Sequence, residues 1–515
     1  MEQIRKNSLF DISEKRNKLL FCVIVTFVFG LIAHAYQFFH SSFSHDSLDA
    51  IFSDSSEMKW KIALGRFLVP ILSEFRGKIS DPWLIGLISL FLISISVFLI
   101  AEVFDVNSKI VLLSISGIMA TNLTITAMTA TYLYELDYDM CALFFAVLAV
   151  YFLIKNNRLI FWICGTVSIM LSLSLYQSYI EVSVVLLIIY FIIYLINGGA
   201  AKDTLIKGLK SIAAIILGVG LYIATSDVVC RILNVEKEER TDVFSGFKDG
   251  LIVGIKTMIY KLVDTFINPV TIYNNNFMGL LNVLLIFIGV CICVFLILKY
   301  CSSIKEKIIA FLLFLCIPFS LNFISLAVGG EVHELMIYSF WIMLIFPLFM
   351  FKKALDKSSD KRFINPLRVI CFIIVGIIIW NNIVVANTAY LKKDLENTAT
   401  VSAMTRVVDD LEERDDYKAG ETPVSFVGPI STQKTMPGFE FLSDTTGFRC
   451  NGSISQSGIS DHYNLYKSFF TYYLNYPLNY SEKDFSESEK VKDMPTYPEK
   501  GYIQNIDGVL VVKMG

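Results

Sequence analysis

Residues 19–39 read LLFCVIVTFVFGLIAHAYQFF, and shortly afterwards residues 44–49 read SHDSLD. The first stretch carries no Asp, Glu, Lys or Arg and is long enough to cross a bilayer core, which takes about 20 residues as a helix. It has no small-residue cleavage site, so it reads as an uncleaved first span. The second stretch places His45, Asp46 and Asp49 just beyond the end of that span. Residues 60–70, WKIALGRFLVP, follow. At helical spacing Trp60, Ala63, Leu64, Phe67 and Leu68 make one apolar face, with Lys61 and Arg66 turned the other way, the pattern of a helix lying in the membrane interface. A carboxylate at the membrane edge followed by such a helix points to chemistry on a lipid head group. A transporter usually places its polar residues nearer mid-membrane.

Composition agrees. The 515 residues are 55% hydrophobic and 18% charged, with a mean hydropathy of +0.59, which excludes an ordinary soluble domain. A net charge of −3 gives nucleic-acid binding no electrostatic support. The ten cysteines are scattered with no CxxC pair, and most lie within apolar runs, which speaks against a disulfide framework. Rich use of Lys, Ile, Asn and Phe points to a low-GC bacterium.

Apolar runs recur at about 19–39, 82–104, 109–130, 139–154, 159–177, 180–196, 211–233, 278–299, 308–328, 335–351 and 366–386, predicting an all-α polytopic membrane protein of about eleven helices. The short loops carrying Lys15, Arg16, Lys155, Arg158, Lys202, Lys305, Lys307, Lys352 and Arg362 all fall on one side, which the positive-inside rule makes cytoplasmic. The acids Asp46, Asp49, Asp54, Glu57, Glu135, Asp137, Asp139, Glu331 and Glu334 fall on the other. The expected place is a bacterial cytoplasmic (inner) membrane, with the N-terminus inside and residues 391–515 outside. That tail has turn signals, strand-like runs at 423–427 and 508–512 and a helical pattern at 393–415, and reads as a small α+β extracytoplasmic domain after a membrane domain over 1–390. Residues 247–267 form a further amphipathic helix on the outer side, suited to roof a cavity.

Polar groups gather on the outer face. Asp46 is placed to take a proton from an acceptor hydroxyl, or else caps a helix. Asp137 and Asp139, within YELDYD at 134–139, would orient the acceptor, share a divalent cation with Asp46 through oxygen ligands, or cap the fourth span. Tyr176, Gln177 and Glu181 interrupt two apolar runs and suit sugar hydroxyls or a head group, or equally a hydrogen-bonded bend. Arg66 and Lys61 suit a donor phosphate, against simple snorkelling. His333, between two acids after Gly329-Gly330, reads as part of a polar loop lining the cavity. One histidine does not make a zinc site.

Four motifs in this order, His34-Ala35-Tyr36, Ser44-His45-Asp46-Ser47, Gly65-Arg66-Phe67 with Pro70, and Tyr176-Gln177-Ser178-Tyr179, resemble the type II serotype-converting O-antigen glucosyltransferases over roughly residues 10–390. That family is similar to the GT-C glycosyltransferases, multi-helix enzymes that take a sugar from a polyprenyl-phosphate carrier on the outer face. The resemblance implies a hexosyltransferase moving glucose to a cell-surface polysaccharide, with inversion. It implies Asp46 as the base with Asp49 as alternate, a second acid at Asp137 or Asp139, and Arg66 facing the donor phosphate. The wider class often shows two adjacent acids where this chain has His45 and Asp46, which leaves metal dependence open. The rival readings are a flippase or transporter, a polymerase using diphosphate-linked donors, and a scaffold whose tail does the work.

Overall fold

The computed structural model describes residues 2–40, 42–44, 47–48, 50–51, 55–238, 251–271, 276–324, 332–357, 362, 364–428, 462–481 and 483–514. In chain order the helices are α1 (Glu2–Phe39), α2 (Ser55–Ala63), α3 (Val69–Phe75), α4 (Pro82–Val103), α5 (Lys109–Thr121), α6 (Leu123–Thr131), α7 (Leu136–Lys155), α8 (Leu159–Leu173), α9 (Ile180–Ile196), α10 (Ala201–Leu233), α11 (Leu251–Ile267), α12 (Phe277–Tyr300), α13 (Ile304–Ser320), α14 (Ile342–Lys357), α15 (Ile364–Glu412), α16 (His462–Tyr472) and α17 (Glu489–Lys492). Among the described residues, nine helical stretches are long and apolar enough to cross a membrane. The two other expected spans are shorter. The helix expected at 159–177 is α8, of 15 residues, which stops where Ser174 begins the turn into Gln177. The one expected at 308–328 is α13, of 17 residues, which carries Pro318 in its last turn and leaves the helix at Leu321.

Sequence explains the local breaks. The third span is two helices, α5 and α6, divided at Asn122. A break inside a membrane helix frees backbone groups that lipid cannot satisfy. Asn122 repairs it from both sides: its Oδ1 accepts from the Ile125 amide (3.1 Å), and its Nδ2 donates to the Met119 carbonyl (2.9 Å). Close helix contact comes from a small residue. A Cβ on Gly86 of α4 would sit 2.6 Å from the ring of Phe38 on α1, so no larger residue fits there. On α1, Leu20, Ile24, Val28 and Ile32 recur every four residues and are half or more exposed, forming an apolar stripe suited to lipid.

The bundle has two chemically different ends. At one, Lys18 of α1 binds Glu102 of α4 (2.6 Å) and Lys155 binds Asp105 (3.2 Å). At the other lie the first loop, α2, α3, α11 and the C-terminal region. The latter has a four-stranded sheet of β1 (Pro423–Val427), β2 (Asn479–Tyr480), β3 (Ile503–Ile506) and β4 (Val509–Lys513), ordered β2-β1-β4-β3. β1 runs parallel to β2 and β4, and β3 pairs antiparallel with β4. Both strand-like runs seen in the sequence are therefore strands. The helix expected at 393–415 is the far half of α15, whose 49 residues run unbroken from the membrane part into the tail. Phe43 and Leu48 of the first loop are buried in the tail's core with Met404, Val424, Phe469 and Leu510.

Candidate active site

The segment expected to be a single amphipathic helix at 60–70 is instead two short helices, α2 and α3, joined by a turn at Gly65. The expected sidedness fails at its first two residues, Trp60 being 41% exposed and Lys61 5%, whereas Ala63 and Phe67 are buried as the pattern requires. Two causes are visible. Gly65 has φ +78°, a left-handed conformation that favours glycine, and a Cβ there would lie 2.2 Å from the Tyr222 hydroxyl. Pro70 then opens α3. Gln177 holds the turn, donating through Nε2 to the Leu64 carbonyl and the Tyr222 hydroxyl (both 2.8 Å). On the α10 side, the Glu238 amide donates to the Ala63 carbonyl (3.2 Å).

The turn brings Lys61 and Arg66 onto one carboxylate. Glu135, just before α7, forms an ion pair with Lys61 and accepts from Arg66 Nη1 at 3.1 Å. The Arg66 guanidinium lies 4.3 Å from the centroid of the Tyr176 ring, and Lys61 Nζ lies 5.3 Å from that of Tyr134. Asp139, 2% exposed and one turn further along α7 on the face of Glu135, lies within electrostatic reach of both Arg66 and Lys61. Two cations and two acids thus share a buried corner at the end of the bundle. Arg66 does not spend all its donors there, because its buried Nε has no hydrogen-bond partner among the described residues.

A second pair stands beside it. Arg76 donates from Nη1 to Asp137 (2.6 Å) and from Nη2 to the Tyr138 hydroxyl (2.7 Å) and the Tyr134 carbonyl (3.1 Å). Asp137 therefore already has a full cationic partner. Glu181 is fully buried and capped on both oxygens, by the Ile324 amide (2.9 Å) and the Ser339 hydroxyl (3.4 Å), where it steadies the end of α13. His333 accepts from the Leu335 amide through Nδ1 (3.4 Å) and stands edge-on to Tyr132, while Glu334 binds Lys261 of α11 (2.7 Å). Burial holds the Glu334 carboxyl above its ordinary range, with Lys261 opposing. The amphipathic helix expected over 247–267 is α11 from Leu251 on, tied down through this pair, and residues 247–250 lie outside the described residues.

His45, Asp46 and Asp49 lie outside the described residues. Ser44, just before them, is described. Ser44 donates to the Thr131 carbonyl at the end of α6 (2.6 Å), four residues before Glu135. Of the sequence-nominated residues, the structure brings together Lys61, Arg66, Tyr176, Gln177 and Asp139, and gives Asp137, Glu181 and His333 other partners. Sequence reading did not single out Glu135 as the shared carboxylate, nor Arg76. Among the described residues no group of three or more His, Cys, Asp or Glu side chains is arranged to hold a metal.

A family model described as Glucosyl transferase GtrII matches residues 35–339, which include the first loop, α2, α3 and every member of the cation cluster. No curated protein and no solved structure matches the chain.

Proposed function

Since the chain belongs to the GtrII glucosyl transferase family, we propose that it moves glucose from a polyprenyl-phosphate donor to a cell-surface polysaccharide at the outer face of the bacterial cytoplasmic membrane. The observation that carries the donor class is the Lys61–Arg66–Glu135 cluster, a buried lysine and a partly buried arginine on one carboxylate, with a guanidinium N–H left unspent among the described residues. A monophosphate on a lipid would reach it from the membrane edge and find a forked, charge-assisted partner in Arg66. Glu135 holds both cations in place until then, so their charges are never left buried and unpaired.

In this reading Asp46 removes the proton from the acceptor hydroxyl as its oxygen bonds to the anomeric carbon. The bond from that carbon to the phosphate oxygen breaks, and polyprenyl phosphate leaves with its charge facing Arg66 and Lys61. One displacement inverts the anomeric centre. Tyr176 shields the guanidinium from water on one side, which strengthens its hold on the departing oxygen. In the same reading a membrane unit over 1–390 precedes an outer unit over 391–515, and the basic loops at the opposite end of the bundle support a cytoplasmic location for that end and an outer one for the tail.

Donor class is tested with purified protein in detergent, given polyprenyl-phosphate glucose or a soluble nucleotide-linked glucose and a surface-polysaccharide acceptor. Transfer from the lipid donor alone is expected. Transfer from the nucleotide donor at an equal rate would overturn the reading.

A further inference from the structure

An open groove of about 410 Å³ lies between α15 and the end of α16, lined among others by Ser42, Asp394, Asn397, Thr398, Ser402 and Tyr473. That volume is within the range of small-molecule sites, roughly 300–1,000 Å³. Each of these six side chains ends in a hydroxyl, amide, carboxylate or phenol, and among the described residues none that lines the groove is basic. The groove is thus unsuited to a phosphate and matched to a neutral, hydroxyl-rich ligand with apolar C–H faces that can rest on an aromatic ring.

Its walls are pinned in place. Asn397, 6% exposed, accepts from the Phe43 amide (2.7 Å) and donates to the Phe43 carbonyl (3.1 Å). Asp394 accepts from the Tyr36 hydroxyl (2.9 Å), and Ser42 donates to Gln37 (2.9 Å). The Tyr473 ring packs on Phe43, with centroids 4.5 Å apart. Asp394, Thr398 and Ser402 recur every four residues and so share one face of α15. A site whose groups are held before the ligand arrives loses less entropy on binding.

Position gives the groove its meaning. Ser42 and Phe43 form its wall on one side of the first loop. On the other side Ser44 is anchored to Thr131, which leads to Glu135 and the two cations. The described residues Ser42 to Ser44 therefore connect this groove, which carries one carboxylate and is rich in hydroxyl and amide groups, to the cationic corner. Resting on the glucosyl-transfer reading above, we propose that this groove seats the glycan acceptor and presents its hydroxyl to the first loop.

Thr398→Trp and Ser402→Trp would fill the groove from exposed positions on α15. With fragments of the source cell's own surface polysaccharide as acceptor, both variants should raise the acceptor KM at least tenfold, with the loss falling on acceptor rather than donor. Saturation-transfer NMR between protein and the same fragments needs no turnover, and should show contact in the wild type that weakens in both variants. Unchanged acceptor KM and unchanged NMR contact in properly folded variants overturn the groove assignment. If the wild type contacts the fragments but transfers no glucose from the lipid donor, the glucosyl-transfer reading fails while the groove remains a saccharide site.

Discussion

Asp46→Asn is expected to lower kcat for glucosyl transfer by about 10²–10⁴-fold, the usual contribution of a positioned general base. The amide keeps the size of the carboxylate and cannot take the acceptor's proton. Binding of the lipid donor should survive, because the phosphate partners proposed here, Arg66 and Lys61, are carried by other elements. The described geometry counts against two of the other nominated acids. Asp137 already receives the Arg76 guanidinium at 2.6 Å, and Asp139 is buried beside two cations. Both side chains are buried, which leaves little room for an acceptor hydroxyl to reach them. The check is single-turnover transfer by wild type, Asp46→Asn and Asp49→Asn, each shown to be folded. Full activity in Asp46→Asn would move the base elsewhere.

Arg76→Ala should produce the largest loss of stability of any single change at this end of the bundle, about 3–5 kcal/mol, the usual result of breaking one side of a buried ion pair. Removing the guanidinium deprives Asp137, the Tyr138 hydroxyl and the Tyr134 carbonyl of a donor at once, all close to the cation cluster. Arg76→Lys keeps the charge, loses the fork and should fall between. The double variant Arg76→Met with Asp137→Leu should recover most of the loss, because it leaves no buried charge unpaired. Thermal unfolding in detergent reads all three. A melting point for Arg76→Ala equal to that of the wild type would show that the pair carries no structural weight.

Much of this molecule was legible in its sequence, for identifiable reasons. Apolar run length is a strong signal, because lipid forces every spanning backbone group to be paired within its own helix. Runs such as 82–104 and 278–299 are accordingly found almost to the residue, as α4 and α12. The tail's strands showed through because β1 and β4 are short β-branched runs. The signal failed where a side chain's partner lies far along the chain. Helical periodicity over 60–70 put Lys61 on the polar face. The fold turns it inward, because Glu135 offers a buried countercharge and Gly65 permits the turn. Arg76 stands 61 residues from Asp137, and Asn397 is 354 residues from the Phe43 backbone it holds. No local pattern marks such pairs. Length misled once more at 159–177 and 308–328, where hydropathy runs on past the ends of α8 and α13.

The most direct measurement on the central claim is the binding of polyprenyl monophosphate, read as competitive inhibition against the lipid-linked donor, in wild type, Arg66→Lys and Arg66→Ala. If the cation cluster holds the donor phosphate, Arg66→Ala should bind at least tenfold more weakly, and Arg66→Lys should fall between it and the wild type. Equal affinity in all three, with the fold intact, would contradict the assignment of that corner as the phosphate site.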